Sequence, residues 1–307
     1  MNETAFLQAL RQLPLHPGAR GLLDDSAVVG AFVLTTDTLV EGVHFLADDP
    51  PGDVAWKLLA VNLSDLAAKG AVPEGVLLNY PLSTPDWDAA FLIGFGEALA
   101  AFACPLIGGD TVSLPAGAPR VLTVTALGGD AAAPARGGAR AGDVLWVTGT
   151  IGDAGAGLRI ARGEAGPDEL LQAYRRPQPR LAEGRVLAPI VHAMSDVSDG
   201  LLIDAARMAA ASGLAVTIDL AAVPLSAALR SFDPDPLVAA TAGDDYELLF
   251  ALPDDATPPA PATRVGTLAS GAGLTLTSAG ASLPLPDRLG YEHCGDVNSL
   301  PASPASL

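Results

Sequence analysis

Apolar positions along this 307-residue chain fall into short strand-like runs and longer helix-like blocks, broken mostly by Asp, Ser, Thr and Gly. Residues 27–36 (AVVGAFVLTT) are rich in β-branched and aromatic side chains and predict a strand ending at Asp37. Residues 53–69 predict a helix that Gly70 ends, and residues 77–80 a strand. Thr84-Pro85 read as the N-cap and first residue of a helix through about Phe102. Residues 105–107 lead into Gly108-Gly109-Asp110, and 120–127 (RVLTVTAL) predict another strand.

Residues 129–143 (GDAAAPARGGARAGD) are small, Gly-rich and without period, which predicts a domain boundary there. The expected division is an N-terminal unit over 1–135 and a C-terminal α/β unit over 136–307. In the second unit, strands are predicted at 144–147, 214–220, 246–252 and 264–268. Helices are predicted at 152–161, 179–193 and 201–211, a surface loop at 253–263 and a frayed tail at 299–307. No repeat of 20–50 residues is visible.

The composition narrows the functional classes. Half of the residues are hydrophobic, enough for a large core, and the length favours two domains. The net charge of −18 repels nucleic acid and anionic membranes. Polyanionic substrates would need divalent cations to bridge them to such a surface. Cys104 and Cys294 form no CxxC, so a reducing cytoplasm is expected. Neither a signal peptide nor an apolar run of the ~18 residues needed to span a bilayer is expected.

Five segments place aspartate beside Ser, Thr or Gly: Asp24-Asp25-Ser26, Thr35-Thr36-Asp37-Thr38, Ser64-Asp65, Gly108-Gly109-Asp110-Thr111 and Ser195-Asp196-Val197-Ser198-Asp199-Gly200. If the apolar elements that carry them pack together, hard carboxylate and hydroxyl oxygens converge, a donor set suited to Mg²⁺ rather than zinc. Each segment also has a purely local explanation. Asp37 fits an Asx-type turn, Gly-Gly-Asp a tight turn, and Ser198 or Asp199 a helix N-cap. Asn62, Asp65 and Lys69 share one helix face, which is either a solvent face with an Asp65–Lys69 pair or a polar stripe facing a site. His44 has no second histidine at a metal-ligand spacing, which excludes a zinc site. Neither GxxxxGK[ST] nor GxSxG occurs, and Gly152 to Gly157 lacks the order of a dinucleotide loop.

Taken together, LLDDSAVV, TTDTLVEGVHF, VNLSDLAAKGAVP, LIGGDT, RGGARAGD, VTGTIGDAGAGL, MSDVSDGLLIDA, GDDYELLF and GYEHCGD resemble the thiamine-monophosphate kinases of the AIR-synthetase-like (PurM-like) superfamily. They run in order over roughly residues 21–293, and TTDTLVEGVHF is the most specific of them. The resemblance implies a two-domain α/β (α+β) PurM-like fold, with an N-terminal sheet that pairs in a homodimer and a C-terminal α/β domain. It implies ATP-dependent phosphorylation of thiamine monophosphate to thiamine diphosphate, with several Mg²⁺ ions. Carried over by motif, the metal ligands are Asp25, Thr35, Thr36, Asp37, Asp65, Asp110, Asp196 and Asp199. Gly109, Asp110, Arg136 and Ser198 would contact ATP, and His44, Asp244 and Tyr291 thiamine monophosphate. No side-chain base is implied.

Four positions depart from the family pattern. LLDD replaces Gly-x-Gly-Asp-Asp, and Lys69 stands for the usual methionine, placed to pair with Asp65. Asp244 stands for Glu, and Val112 to Pro115 replace Thr-x-Gly-Pro. The alternatives are another superfamily enzyme, such as selenophosphate synthetase with its reactive cysteine near the N-terminus, or a non-catalytic nucleotide- or metal-binding paralogue.

Overall fold

The computed structural model describes residues 3–293. Its strands form two sheets, one from each half of the chain. The first half runs α1 (Glu3–Leu10), β1 (Ala27–Val29), β2 (Phe32–Val40), α2 (Pro51–Ala68), β3 (Val72–Leu82), α3 (Pro85–Ala101), β4 (Leu106–Ser113) and β5 (Val121–Gly129). Its sheet has the order β1-β2-β5-β3-β4, antiparallel except for the parallel β3–β4 pair at one edge.

The second half runs β6 (Val144–Thr148), α4 (Asp153–Ala161), α5 (Asp168–Arg175), α6 (Leu181–Leu187), β7 (Ala193–Asp196), α7 (Leu201–Ala211) and β8 (Leu214–Asp219). It continues through α8 (Ala227–Phe232), α9 (Pro236–Ala242), β9 (Leu248–Leu252), β10 (Ala262–Ser270), β11 (Gly273–Ser278) and β12 (Ala281–Leu283). The sheet order is β12-β11-β8-β10-β6-β9-β7, with only β8–β11 parallel. No helix among the described residues is long and apolar enough to cross a membrane.

The helix α2 lies at the centre of the molecule. Leu58, Leu59, Leu63 and Leu66 are wholly buried, each contributing about 1.5–3 kcal/mol by leaving water. Its remaining faces are buried as well, so its polar residues have no solvent to face. At its C-terminal end, Ala67 and Ala68 pack with Leu187, Met194, Leu248 and Phe250 of the second half. The approach is close: a Cβ on Gly184 would lie 2.1 Å from the Ala67 carbonyl oxygen. This contact holds the end of α2 against α6, and the packing of Ala67 and Ala68 with Met194 of β7 brings Asp65 and Asp196 to one place.

Several sequence expectations change in the fold. The strand expected to end at Asp37 continues to Val40, because β2 pairs with β5 along its whole length, Asp37 opposite Val124. The segment 27–36 is a hairpin rather than one strand, turning at Gly30 with φ +63°. Gly108-Gly109-Asp110-Thr111 is not a loop but the middle of β4. The helix expected over 179–193 stops at Leu187, a turn follows at residues 188–190, and Ala193 begins the short buried strand β7. The tail at 299–307 and Cys294 lie outside the described residues.

Candidate active site

The central cluster takes one carboxylate from each of three segments. Asp25 comes from the loop before β1, Asp65 from the last turns of α2, and Asp196 from the end of β7. One oxygen of each lies within 4.8 Å of the others. Strand alternation decides which neighbours join them. Thr35 and Asp37 face α2: Thr35 Oγ1 donates to Asp65 Oδ2, and the Asp37 amide donates to Asn62 Oδ1 at 3.0 Å. Thr36 points to the opposite, exposed face, where its hydroxyl meets Val124 O at 3.2 Å and Thr125 Oγ1 at 3.0 Å. Its side chain therefore does not join the cluster.

Burial and mutual repulsion govern the electrostatics. Burial, then the charge of Asp25, pushes Asp37 up to about 6 and Asp196 up to about 8. Burial, then Asp37 and Asp196, raise Asp65 well above the usual carboxylate range, although Thr35 bonds to it. Asp25 behaves differently. Burial opposes its charge, but Lys69 and Arg136 outweigh it and hold Asp25 down at about 2. Carboxylates this close and this buried are tolerated only when protonated or when a cation lies among them. The donors are all oxygen, so the residues fit Mg²⁺ and do not fit a soft metal.

Lys69 does not pair with Asp65. The helix ends at Ala68, so Lys69 leaves the i, i+4 ridge, and its Nζ reaches Asp24 Oδ1 at 2.6 Å and Asp25 Oδ2 at 3.0 Å. Arg20 also holds Asp24, at 2.6 Å, and Arg136 holds Asp25, so the departing LLDD segment is pinned by three cations.

Asp199 and Ser198 sit on a turn shaped by Asp204, whose Oδ2 accepts the amides of Ser198, Asp199 and Gly200 at 3.1, 3.1 and 3.2 Å. Arg207 pairs with both Asp199 and Asp204. The turn is tied to Asp244 and Tyr291, since Ser198 O accepts the Asp244 amide at 2.7 Å and Asp199 O accepts the Tyr291 amide at 2.9 Å.

Asp244, in the left-handed region at φ +67°, receives Lys57 Nζ at 2.5 Å and the Tyr246 hydroxyl at 2.8 Å. Lys57 also donates to His44 O at 3.2 Å. Burial, then the neighbouring His293, push His44 down to about 4, so the ring is neutral at pH 7. Its Nδ1 accepts the Val40 amide at 3.0 Å, which puts the ring proton on Nε2. The Tyr291 ring meets His293 edge to face, 5.0 Å between centroids. His44, Asp244 and Tyr291 thus form a second group beside the carboxylates, linked to them through Asp199.

Gly109 and Asp110 stand apart. Every residue of β4 is exposed, and Asp110 Oδ1 accepts only the neighbouring Thr111 amide, at 2.9 Å. Three strand spacings separate β4 from β2, roughly 14 Å at ~4.8 Å each. Gly109 has a packing role of its own: a Cβ there would lie 1.9 Å from Leu78 O on β3. Asn62 and Ser64, flagged in the sequence beside Asp65, do reach the cluster, whereas Lys57, Asp204 and Arg207 had not been singled out. For Lys57 a signal existed, since it is one of only two lysines and lies inside a nearly all-apolar block.

This is a two-domain α/β protein with a buried oxygen cluster where α2 of the first half meets β7 of the second. Comparison with known proteins narrows that class. The AIR synthase related protein N-terminal domain matches residues 23–129, and the corresponding C-terminal domain residues 140–277. A thiamine-monophosphate kinase of Escherichia coli (strain K12) is 39% identical over 252 residues, 76% of each chain. One from Caulobacter vibrioides is 37% identical over 305 residues, 90% of this chain and 86% of that protein. A solved structure of AaThiL complexed with AMPPCP and TMP superposes with a TM-score of 0.84 at 29% identity, over 95% of this chain and 97% of that one. The chain belongs to the AIR synthase related family, in its thiamine-monophosphate kinase branch.

Proposed function

We propose that the protein transfers the γ-phosphoryl group of ATP to the phosphate of thiamine monophosphate, forming thiamine diphosphate and ADP in the cytoplasm. The observation that carries this reading is the buried cluster of Asp25, Asp65 and Asp196, with Arg136 and Arg207 beside it. The family relation supports it, as does the solved relative with AMPPCP and TMP.

The acceptor explains the absence of a catalytic base. A phosphate monoester has a second pKa of about 6, so its attacking oxygen is already mostly anionic at neutral pH. The barrier is the repulsion and alignment of two polyanions. Asp25, Asp37, Asp65, Asp196 and Asp199, with the Thr35 hydroxyl, would hold Mg²⁺, which when bound would neutralise charge on the two phosphates. Arg136 and Ser198 bind the ATP phosphates. The His44 Nε2–H, Asp244 and the Tyr291 ring position thiamine monophosphate, with Lys57 holding Asp244 in place. The transfer is direct and in line, without a phosphoenzyme.

Gly109 and Asp110 enter this scheme only through a second copy. The β4 edge has unpaired backbone groups and exposes Leu106, Ile107 and Val112. We infer a homodimer paired along this sheet, in which Asp110 of one copy serves the site of the other.

The test is ADP release and thiamine diphosphate formation by wild type and Asp37→Asn, with and without Mg²⁺ and thiamine monophosphate. The expected result is turnover that needs both additions and is lost in a folded Asp37→Asn. Nucleotide binding without thiamine diphosphate formation by the wild type would sink the kinase reading. A labelled phosphoprotein trapped from γ-labelled ATP would sink direct transfer.

A further inference from the structure

Lys69 is wholly buried and makes three contacts: Asp24 Oδ1 at 2.6 Å, Asp25 Oδ2 at 3.0 Å and Met194 O at 3.1 Å. These contacts tie together the three segments that carry the central carboxylates. Asp25 is touched directly, Asp65 lies one helical turn before Lys69 on the same chain segment, and Asp196 lies two residues beyond Met194. Asp25 is left with both oxygens engaged by cations, Oδ1 by Arg136 and Oδ2 by Lys69. Asp65 and Asp196 receive only hydroxyl donors, from Thr35 and Ser64. The ammonium group therefore sits, with the Arg136 guanidinium, at the Asp25 corner of the cluster, while no cation touches Asp65 or Asp196 among the described residues.

A lysine so enclosed would shed its proton if it stood alone, and the two carboxylates within 3.0 Å hold it as the ammonium ion. A fixed positive charge in direct contact with a cluster carboxylate repels a divalent ion bound to that cluster. It also removes one Asp25 oxygen from the donors that an ion can use.

We propose that Lys69 is a tethered counter-ion that organises the carboxylate site before metal arrives and lowers its affinity for divalent cations. The proposal rests on the metal-site reading above. It assigns Lys69 a positioning role, since the ammonium touches ligand-bearing segments and not the reacting groups.

The experiment is Mn²⁺ titration of chelator-treated protein by calorimetry, with thermal melting of the metal-free form, for wild type, Lys69→Met, Lys69→Gln and Lys69→Arg. Loss of the charge is expected to tighten Mn²⁺ binding by about tenfold or more in both neutral variants. Their metal-free melting temperatures should fall, and Mn²⁺ should restore a larger share of stability than in wild type. Lys69→Arg, which keeps the charge, should bind Mn²⁺ nearly as wild type does. Should Lys69→Met fail to fold, the polar Lys69→Gln decides. Equal or weaker Mn²⁺ binding in the neutral variants overturns the proposal and leaves Lys69 a purely structural residue. If wild type itself takes up no Mn²⁺, the metal-site reading falls instead.

Discussion

The pocket around Asp65 and the β4 edge around Asp110 carry the same side chain in opposite surroundings. Asp65 is enclosed by α2, β2 and β7, with Asp25 and Asp196 close enough to share one ion. Asp110 stands on an exposed edge strand whose only bond to its carboxylate is local. In the pocket, burial turns a carboxylate into a group that demands a cation or a proton. At the edge, water solvates the charge and nothing is demanded. The two can serve one reaction only if something beyond a single chain brings them together.

Four expected outcomes separate the two regions, from the largest effect to the smallest. Asp65→Asn should cost about 10²–10³-fold in kcat/KM, the size expected when a metal ligand worth several kcal/mol is lost. The same change should not lower the metal-free melting temperature, because it removes a charge that burial disfavours. A stable, fully active Asp65→Asn enzyme would remove the pocket from the mechanism.

The second outcome concerns the interface. Asp65→Asn and Asp110→Asn are each expected to be inactive as purified homodimers. After unfolding and refolding as an equal mixture, about a quarter of wild-type activity should return. Half of the dimers are then mixed, and one site of each mixed dimer draws both native aspartates. No recovery would place Asp110 outside the partner's site.

The third outcome is a pH dependence set by the pocket's raised aspartates, with His44, lowered from 6.5 to about 4, opposing it between those two values. The folded-state values of Asp37 and Asp204, about 6, and of Asp196, about 8, lie above the ordinary 3.8. Between those limits the folded protein binds more protons than the unfolded chain, so metal-free stability falls as pH rises from about 4 to about 8. Asp25, held at about 2, works in the opposite sense but only below about pH 4. Melting in chelator from pH 5 to 8.5 should show the decline, and Mg²⁺ should flatten it. A metal-free melting temperature that climbs with pH would contradict the burial argument.

The smallest effect is expected of Thr36→Val. The side chain sits on the exposed face of β2, where its cross-strand bond to Thr125 is worth about 0.2–1 kcal/mol. Activity should stay near wild type, whereas Thr35→Val, which loses the hydroxyl on Asp65, should not. Comparable losses in both would mean that the hydroxyl of Thr36 reaches the site after all.

The hydrophobic pattern by itself determined most elements of the first half, β6, α4, α7, β8, β9 and β10 of the second, and the order of the oxygen-bearing segments. Local periodicity and capping govern those features, and they act within a few residues. The short strand β7 was not legible, because a four-residue buried run after a helix carries no period of its own. Nor was the shape of the site. Whether Thr36 faces the cluster depends on the strand continuing past Asp37, which pairing with β5 decides. Whether Lys69 meets Asp65 or Asp25 depends on where α2 ends and on β7 lying against that end. The convergence of Asp25, Asp65 and Asp196, and the separation of Asp110 from them, are properties of sheet order and helix packing. Contacts between residues far apart in the chain fix both, and no local run of sequence records them.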